Sequence, residues 1–262
     1  MPSPSDISAI ETQYQTQLSL LWQPLGASPI MAYHAQRQVK TASIIKLPIL
    51  TYTALQVEQG HLTWEHRLDL PSNPVGGMGI LKLMDKGLQP TIRDVATLMT
   101  VISDNTATNM LIDVLGIDNI NQHIQAVGMT HTRLNRKVFA PNTPACLPWG
   151  LGVTTAYDVV HLLTLIASGR LGNAATNQWL HQTLAAQQDR VGIPRALPVG
   201  WHYAGKTGSD EDLKNDCGIL TTPQGDVVVV ACFAQELADA PHTADHPGLQ
   251  AIIATTRTII GS

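Results

Sequence analysis

The sequence predicts an α/β fold of the α+β kind, in which a helical stretch interrupts an antiparallel-sheet layer drawn from both ends of the chain. Three observations predict it. Apolar residues recur at helical spacing from about residue 43 to 185. Beyond about residue 195 the pattern changes to short β-branched runs separated by turn residues. Near the start, SPIMAYHAQRQ has strand character, so sheet material lies at both ends of the 262-residue chain.

Taken in order, the elements have local reasons. SAIETQYQTQLSLLW follows a Ser/Asp-rich start and carries apolar residues at helical spacing, which predicts one N-terminal helix. The segments PILTYTALQVEQG, TIRDVATLMTVIS, ATNMLIDVLG, NINQHIQAVG and AYDVVHLLTLIASG read as helices, and several stop at glycine. KVFAPNTPACLPWGLGV differs, with three prolines, two glycines and little periodicity. A loop of that length inside a compact chain is usually functional. WHYAGKTGS, DCGILTT and DVVVVACFAQE then read as strands, and GLQAIIATTRTII closes the chain as a helix. The expected division is residues 1–42 with 190–262 as an α/β sandwich, and 43–189 as an all-helical unit.

Composition narrows the function. Hydrophobic residues make up 44% and charged residues 14%, an ordinary globular balance that argues against disorder. A net charge of −4 without any Lys/Arg cluster gives no footprint for nucleic acid. No apolar run reaches membrane-spanning length, and the start MPSPSD has neither the basic head nor the apolar stretch of a signal peptide. Cys146, Cys217 and Cys232 form no metal-binding spacing and cannot make a disulfide framework. Cys217 and Cys232 flank the turn TTPQGD, and a hairpin there would bring their strands side by side, but free thiols are the expectation. His242 and His246 around Asp245 lack a third ligand nearby, so a surface loop without metal is expected there.

The chemistry rests on three short motifs. TASIIKLPIL places Ser43 and Lys46 three residues apart at the head of an apolar run. That spacing alone arises by chance about once in a chain of this length, and taken alone a serine there is more readily an N-cap than a nucleophile. Ser103-Asp104-Asn105 and Lys206-Thr207-Gly208 follow in order, and accidental occurrence of the full set falls below about one chain in a few hundred. A serine hydroxyl needs a base to take its proton. On a helix, positions i and i+3 share a face, so Lys46 can serve Ser43 if burial and the helix N-terminus lower its affinity for a proton. Pro48, which lacks an N–H, predicts a tight first turn.

This ordered set, with the wider stretch ISDNTATNMLIDVLG, resembles the serine β-lactamase/penicillin-binding protein superfamily. The resemblance runs from about residue 30 to the end and is nearest to a cyanobacterial-type penicillin-binding protein related to class A β-lactamases. It implies a class A β-lactamase-like fold with the active site between the two units. It also implies that Ser43 is the nucleophile, Lys46 its base, and Ser103 a proton relay toward the leaving nitrogen. Asn105 would bind the substrate's amide side chain, and Lys206 and Thr207 its carboxylate. Gly208 would permit close backbone approach, and the N–H groups of Ser43 and Ser209 would form the oxyanion hole. Asp104 reads as structural.

TRLNRKVFAPN resembles the start of the family's omega loop, expected here near 136–157, in which a glutamate positions the water that releases the acyl-enzyme. The corresponding place holds Val138 or Phe139, and no Asp or Glu occurs between Arg136 and Tyr157. Arg136 has no evident acidic partner short of Asp158, which predicts a differently shaped loop. Complete acylation machinery without that carboxylate predicts a penicillin-binding D,D-peptidase type of serine acyltransferase with slow deacylation. The expected partners are β-lactam antibiotics and peptidoglycan-type peptides, with no cofactor and a monomeric state. A location in the periplasm, or otherwise exported, is expected of the full-length protein. Two other readings remain open: a β-lactamase using another base such as Lys46, and a sensor or binding domain acylated once.

Overall fold

The computed structural model describes residues 2–238 and 243–261. Its frame is a five-stranded antiparallel sheet in the order β2-β1-β8-β7-β6, built from β1 (Gln17–Pro24), β2 (Met31–Tyr33), β6 (His202–Asp210), β7 (Leu213–Thr221) and β8 (Val227–Gln235). Both ends of the chain thus meet in one sheet, as their strand character predicts. Helices α1 (Pro4–Tyr14) and α8 (Pro247–Ile260) cover one face, where Ile7, Ile10, Leu18, Leu20 and Ile252 share a core. The other face packs Leu21, Ile219, Ala231 and Phe233 into a larger core with the helical stretch. Alternation of side chains along each strand is what supplies two cores from one sheet.

The N-terminal element departs from the sequence expectation. The predicted single helix stops at Tyr14, Gln15 turns through the left-handed region at φ 49°, and Gln17–Pro24 is the strand β1. Leu18, Leu20 and Leu21 suit either period, and pairing along the whole of β8 decides the matter. The stretch 43–189 is also not all helical. Alongside α2 (Lys46–Glu58), α3 (Ile92–Val101), α4 (Asn105–Leu115), α5 (Ile117–Ala126), α6 (Ala156–Ala167) and α7 (Ala174–Ala185), it holds β4 (Arg133–Leu134) and β5 (Gly152–Thr154). These pair with β3 (Val39–Lys40) in a second sheet of order β3-β5-β4, and α6 packs against β1 and β8.

Two smaller expectations are settled by register and burial. Cys217 lies opposite Ala231, while Cys232 lies opposite Asp216, so the two thiols are one position out of step and enter opposite cores. A one-residue offset in a strand pair reverses the face, and both cysteines are free. The expected surface loop at His246 is corrected: the residue is buried, and its Nδ1 caps α8 by accepting the Gly248 N–H at 3.1 Å. Asp245 is exposed, and His242 lies outside the described residues.

Candidate active site

Ser43 sits in a 3-10 turn, Ala42–Ile45, that feeds directly into α2. The tight turn expected from Pro48 is present, and Pro48 occupies the first turn of α2, where an N–H has no intrahelical partner to lose. Ser43 does not cap a helix: the cap positions are Thr41 for the short turn and Ile45 for α2. Ala42, just before it, is held at φ 40°. A left-handed conformation costs a non-glycine residue about 1–2 kcal/mol, so the surrounding packing fixes the presentation of Ser43.

The second motif shows a division of labour. Asp104 caps α4 through the Ala107 N–H at 2.9 Å and also accepts the N–H groups of Ile80 and Leu81 at 2.7 and 2.9 Å. This structural role leaves the neighbouring residues unoccupied by capping. Ser103 is held at φ 57°, another strained residue. Asn105, the first residue of α4, faces Lys46 with Oδ1 and donates from Nδ2 to the Gly76 carbonyl at 3.2 Å.

The two motif lysines converge on Ser103. Lys46 Nζ donates to the Ser103 carbonyl at 2.7 Å and to Asn105 Oδ1 at 3.0 Å, and lies 3.0 Å from Ser103 Oγ. Lys206 Nζ approaches the same hydroxyl at 3.1 Å and donates to the Thr207 carbonyl at 2.8 Å. No hydrogen bond joins Lys46 to Ser43, so the contact expected from helical spacing is replaced by one to Ser103. Lys46 and Lys206 are 1% and 0% exposed. Burial first, and then the cationic Lys206, hold the Lys46 amine well below the usual lysine range. Burial also lowers Lys206, to about 8, against the opposing pull of Asp189, Cys217 and Asp216. Two ammonium groups around one buried hydroxyl repel strongly. Burial and the neighbouring ammonium thus favour the neutral form at Lys46, against the pull of Asp104, while Asp189 and Asp216 favour the charged form at Lys206.

The third motif lies on β6, the edge of the sheet, beside Ser43. A Cβ placed on Gly208 would meet the Thr41 carbonyl oxygen at 2.9 Å and the Ser43 backbone nitrogen at 3.1 Å, so only glycine allows this approach. Thr207 Oγ1 donates to Asp189 Oδ2 at 2.9 Å. Behind the strand, Asp216 is buried and accepts from the Tyr203 hydroxyl at 2.6 Å and the Ile193 N–H at 2.7 Å. Burial raises this carboxyl to about 7, opposed by those two hydrogen bonds.

Ser43, Asn105 and Ser209 open into a cavity of about 350 Å³ walled by the 136–151 loop, including Val138 and Phe139. A wider hollow against His34, Arg37 and Tyr157 gathers none of the motif residues. The loop closes on its own backbone. Arg136 donates to the Ala140 carbonyl at 2.5 Å, while Asp158 instead accepts the His131 N–H and the Thr132 hydroxyl. Asn109 pins the loop, accepting the Val138 N–H at 2.8 Å and donating to the Val138 carbonyl at 3.1 Å. Asn109, Asp189, Asp216 and Tyr203 were not among the residues the sequence suggested. Each meets the site through contacts distant in sequence, and no local pattern signals them.

The family model described as beta-lactamase enzyme family matches residues 3–260. A β-lactamase of Citrobacter koseri is 30% identical over 168 residues, which is 61% of this chain but only 54% of that protein's length. A β-lactamase of Bacillus licheniformis is 24% identical over 237 residues, covering 87% of this chain and 75% of its own. Among solved structures, a β-lactamase of Sphaerobacter thermophilus superposes with a TM-score of 0.88 at 29% identity, covering 99% of this chain and 97% of the other. PBP-A, solved as a leucine-to-glutamate mutant in an acyl-enzyme complex with penicillin G, gives a TM-score of 0.86 at 25% identity, covering 100% and 97%.

Proposed function

The chain belongs to the beta-lactamase enzyme family of serine hydrolases, and we propose that within it this is a penicillin-binding acyltransferase of the D,D-peptidase type. Ser43 attacks the carbonyl of a β-lactam or a D-Ala-D-Ala-type peptide and is acylated. The ester is then released slowly. The observation that carries this reading is the loop wall of the cleft: no carboxylate occurs between Arg136 and Tyr157, and the position fixed by Asn109 is Val138.

The roles follow from the proton arrangement. A neutral Lys46 has two N–H bonds for its two carbonyl-type acceptors, Ser103 O and Asn105 Oδ1, and a lone pair left toward the Ser103 hydroxyl. It acts as the base for Ser43 on substrate binding, when hydrogen bonds in such sites tighten. Ser103, between Lys46 and Lys206, passes the proton to the leaving nitrogen. The Lys206 ammonium and the Thr207 hydroxyl, its O–H turned from Asp189 to the substrate, hold the substrate carboxylate, and Asn105 holds its amide. The backbone N–H groups of Ser43 and Ser209 receive the oxyanion. Preorganised donors of this kind contribute about 3–4 kcal/mol each to the transition state. D-Ala-D-Ala-type substrates belong to peptidoglycan, outside the cytoplasm, so this reading places the work in the periplasm or another exported location.

A second reading, hydrolysis of β-lactams with turnover, is favoured by the β-lactamase names of the relatives. The test of the first is intact mass after addition of penicillin, with peptide mapping. One covalent drug mass on Ser43, absent in Ser43→Ala, is expected. An adduct elsewhere, or none with no drug consumed, refutes the assignment.

A further inference from the structure

The corner proposed to receive the substrate carboxylate already holds a carboxylate of this chain. Thr207 has one hydroxyl hydrogen, and it goes to Asp189 Oδ2 at 2.9 Å. The other oxygen of Asp189 accepts the Val191 N–H at 3.4 Å. The fold fixes this placement. The Gln188 N–H donates to the Val101 carbonyl at 3.0 Å, at the end of α3. The buried Gln187 side chain donates to the Thr100 carbonyl at 3.2 Å and accepts the Asp189 N–H at 3.1 Å. Neighbouring Arg190 is engaged with the Tyr203 ring, 5.5 Å from its centroid.

Two anions then meet at one hydroxyl. A substrate carboxylate that takes the Thr207 hydrogen brings an oxygen to about 2.7 Å from Oγ1. Asp189 Oδ2 lies 2.9 Å from the same atom, so the two carboxylate oxygens are no more than about 5.6 Å apart. Asp189 also loses the hydrogen bond that Thr207 gave it. Like charges that close in a half-buried site weaken binding by about tenfold or more. Lys206 attracts the substrate carboxylate, but Asp189 already answers part of that charge. A neutral carboxamide meets neither cost. Its oxygen accepts from Lys206, while its NH2 donates to the Thr207 oxygen or to Asp189, and the bond from Thr207 to Asp189 stays in place.

We infer that Asp189 is a specificity-determining residue, which weakens the hold of Lys206 and Thr207 on a free carboxylate and opens that corner to substrates carrying a neutral carboxamide there. The inference rests on the proposed roles of Ser43, Lys206 and Thr207. It adds a residue outside the three motifs, and a substrate class that the motifs by themselves disfavour. Asp189 acts through charge and through its claim on the Thr207 hydrogen, and it takes no part in the transfer of the acyl group.

The experiment measures the second-order acylation rate of the intact protein with two penicillins that differ at one position, a free carboxylate or a primary carboxamide. Rates are compared at about pH 6, because loss of Asp189 also removes a pull that keeps Lys206 charged, and Lys206 gives up its proton at about 8. Asp189→Asn keeps the shape of the side chain and an acceptor for Thr207, and Asp189→Ser is the independent second variant. Each should raise the carboxylate-to-carboxamide rate ratio by about tenfold. A purely structural role would move both rates together, so an unchanged ratio in both variants overturns the inference. A ratio that falls overturns it too, by showing that Asp189 serves the carboxylate through Lys206. So does an unmutated protein that is acylated by the carboxylate form with no measurable reaction of the carboxamide. No acylation by either compound overturns the Ser43 reading instead.

Discussion

Replacing Gly208 by alanine adds one methyl group where β6 passes the turn that carries Ser43. The new Cβ would stand 2.9 Å from the Thr41 carbonyl oxygen, 3.1 Å from the Ser43 nitrogen and 3.2 Å from Ile44 Cγ1. Ordinary contact begins at 3.4 Å, so the turn and the strand must separate by about half an ångström, and two of the three atoms are backbone that cannot rotate away. Gly208 is not in the left-handed region, so the substitution brings no backbone conflict of its own. Overpacking of this kind costs about 1–3 kcal/mol of stability. Half an ångström between Ser43 and the strand that carries Lys206 and Thr207 should also slow acylation, by about 10- to 100-fold. The assay is the pre-steady-state rate of adduct formation with penicillin, beside a urea titration that reports the folded fraction. A folded Gly208→Ala protein acylated at the unmutated rate would refute the claim that the approach of β6 to Ser43 builds the reactive geometry.

Other outcomes follow from the same contacts. The acylation rate should rise with pH as Lys46 loses its proton, at a pH well below the usual lysine range because of its burial. It should fall near pH 8 as Lys206 loses the charge proposed to hold the substrate carboxylate. Lys206→Met should remove the alkaline limb of the measured profile and move the acid limb toward higher pH, because the Lys206 charge no longer holds Lys46 down; a limb near pH 8 surviving in that variant with the acid limb unmoved assigns it to another group. Asp104→Ala removes a helix cap and two further N–H partners, Ile80 and Leu81. It should lower stability by about 3 kcal/mol in urea unfolding, and a loss under 1 kcal/mol would contradict the structural role. Val138→Glu places a carboxylate on backbone that Asn109 fixes from both sides. Decay of the penicillin adduct should then quicken by a factor of about 10²–10⁴, followed by mass over time.

The candidate motifs were legible in the sequence because each is a short run whose spacing already encodes its geometry. Ser43 and Lys46 sit in one turn, Ser103 to Asn105 start one helix, and Lys206 to Gly208 share one strand. The two-ended sheet was legible from β-branched runs near each end. What stayed hidden depends on pairing between distant segments. Gln17–Pro24 is a strand because β8 lies beside it, not because its own residues exclude a helix. The Cys217–Cys232 offset depends on the width of the turn between β7 and β8, which displaces the register by one residue. His246 looked like loop surface because its cover comes from its own helix start and the packing around it. Asp189 meets Thr207, and Asn109 meets Val138, across separations of 18 and 29 residues. The bond from Lys46 to Ser103, in place of Ser43, likewise depends on how α2 meets the turn before α4.

The central claim, acylation at Ser43 without a carboxylate to speed release, is tested most directly on the unmutated protein. Penicillin is added in excess, and intact mass and hydrolysed drug are followed together over hours. A single adduct that persists, with about one equivalent of drug consumed and little further hydrolysis, is the expected result. Many rapid turnovers with no accumulated adduct would contradict it and establish β-lactamase activity in its place.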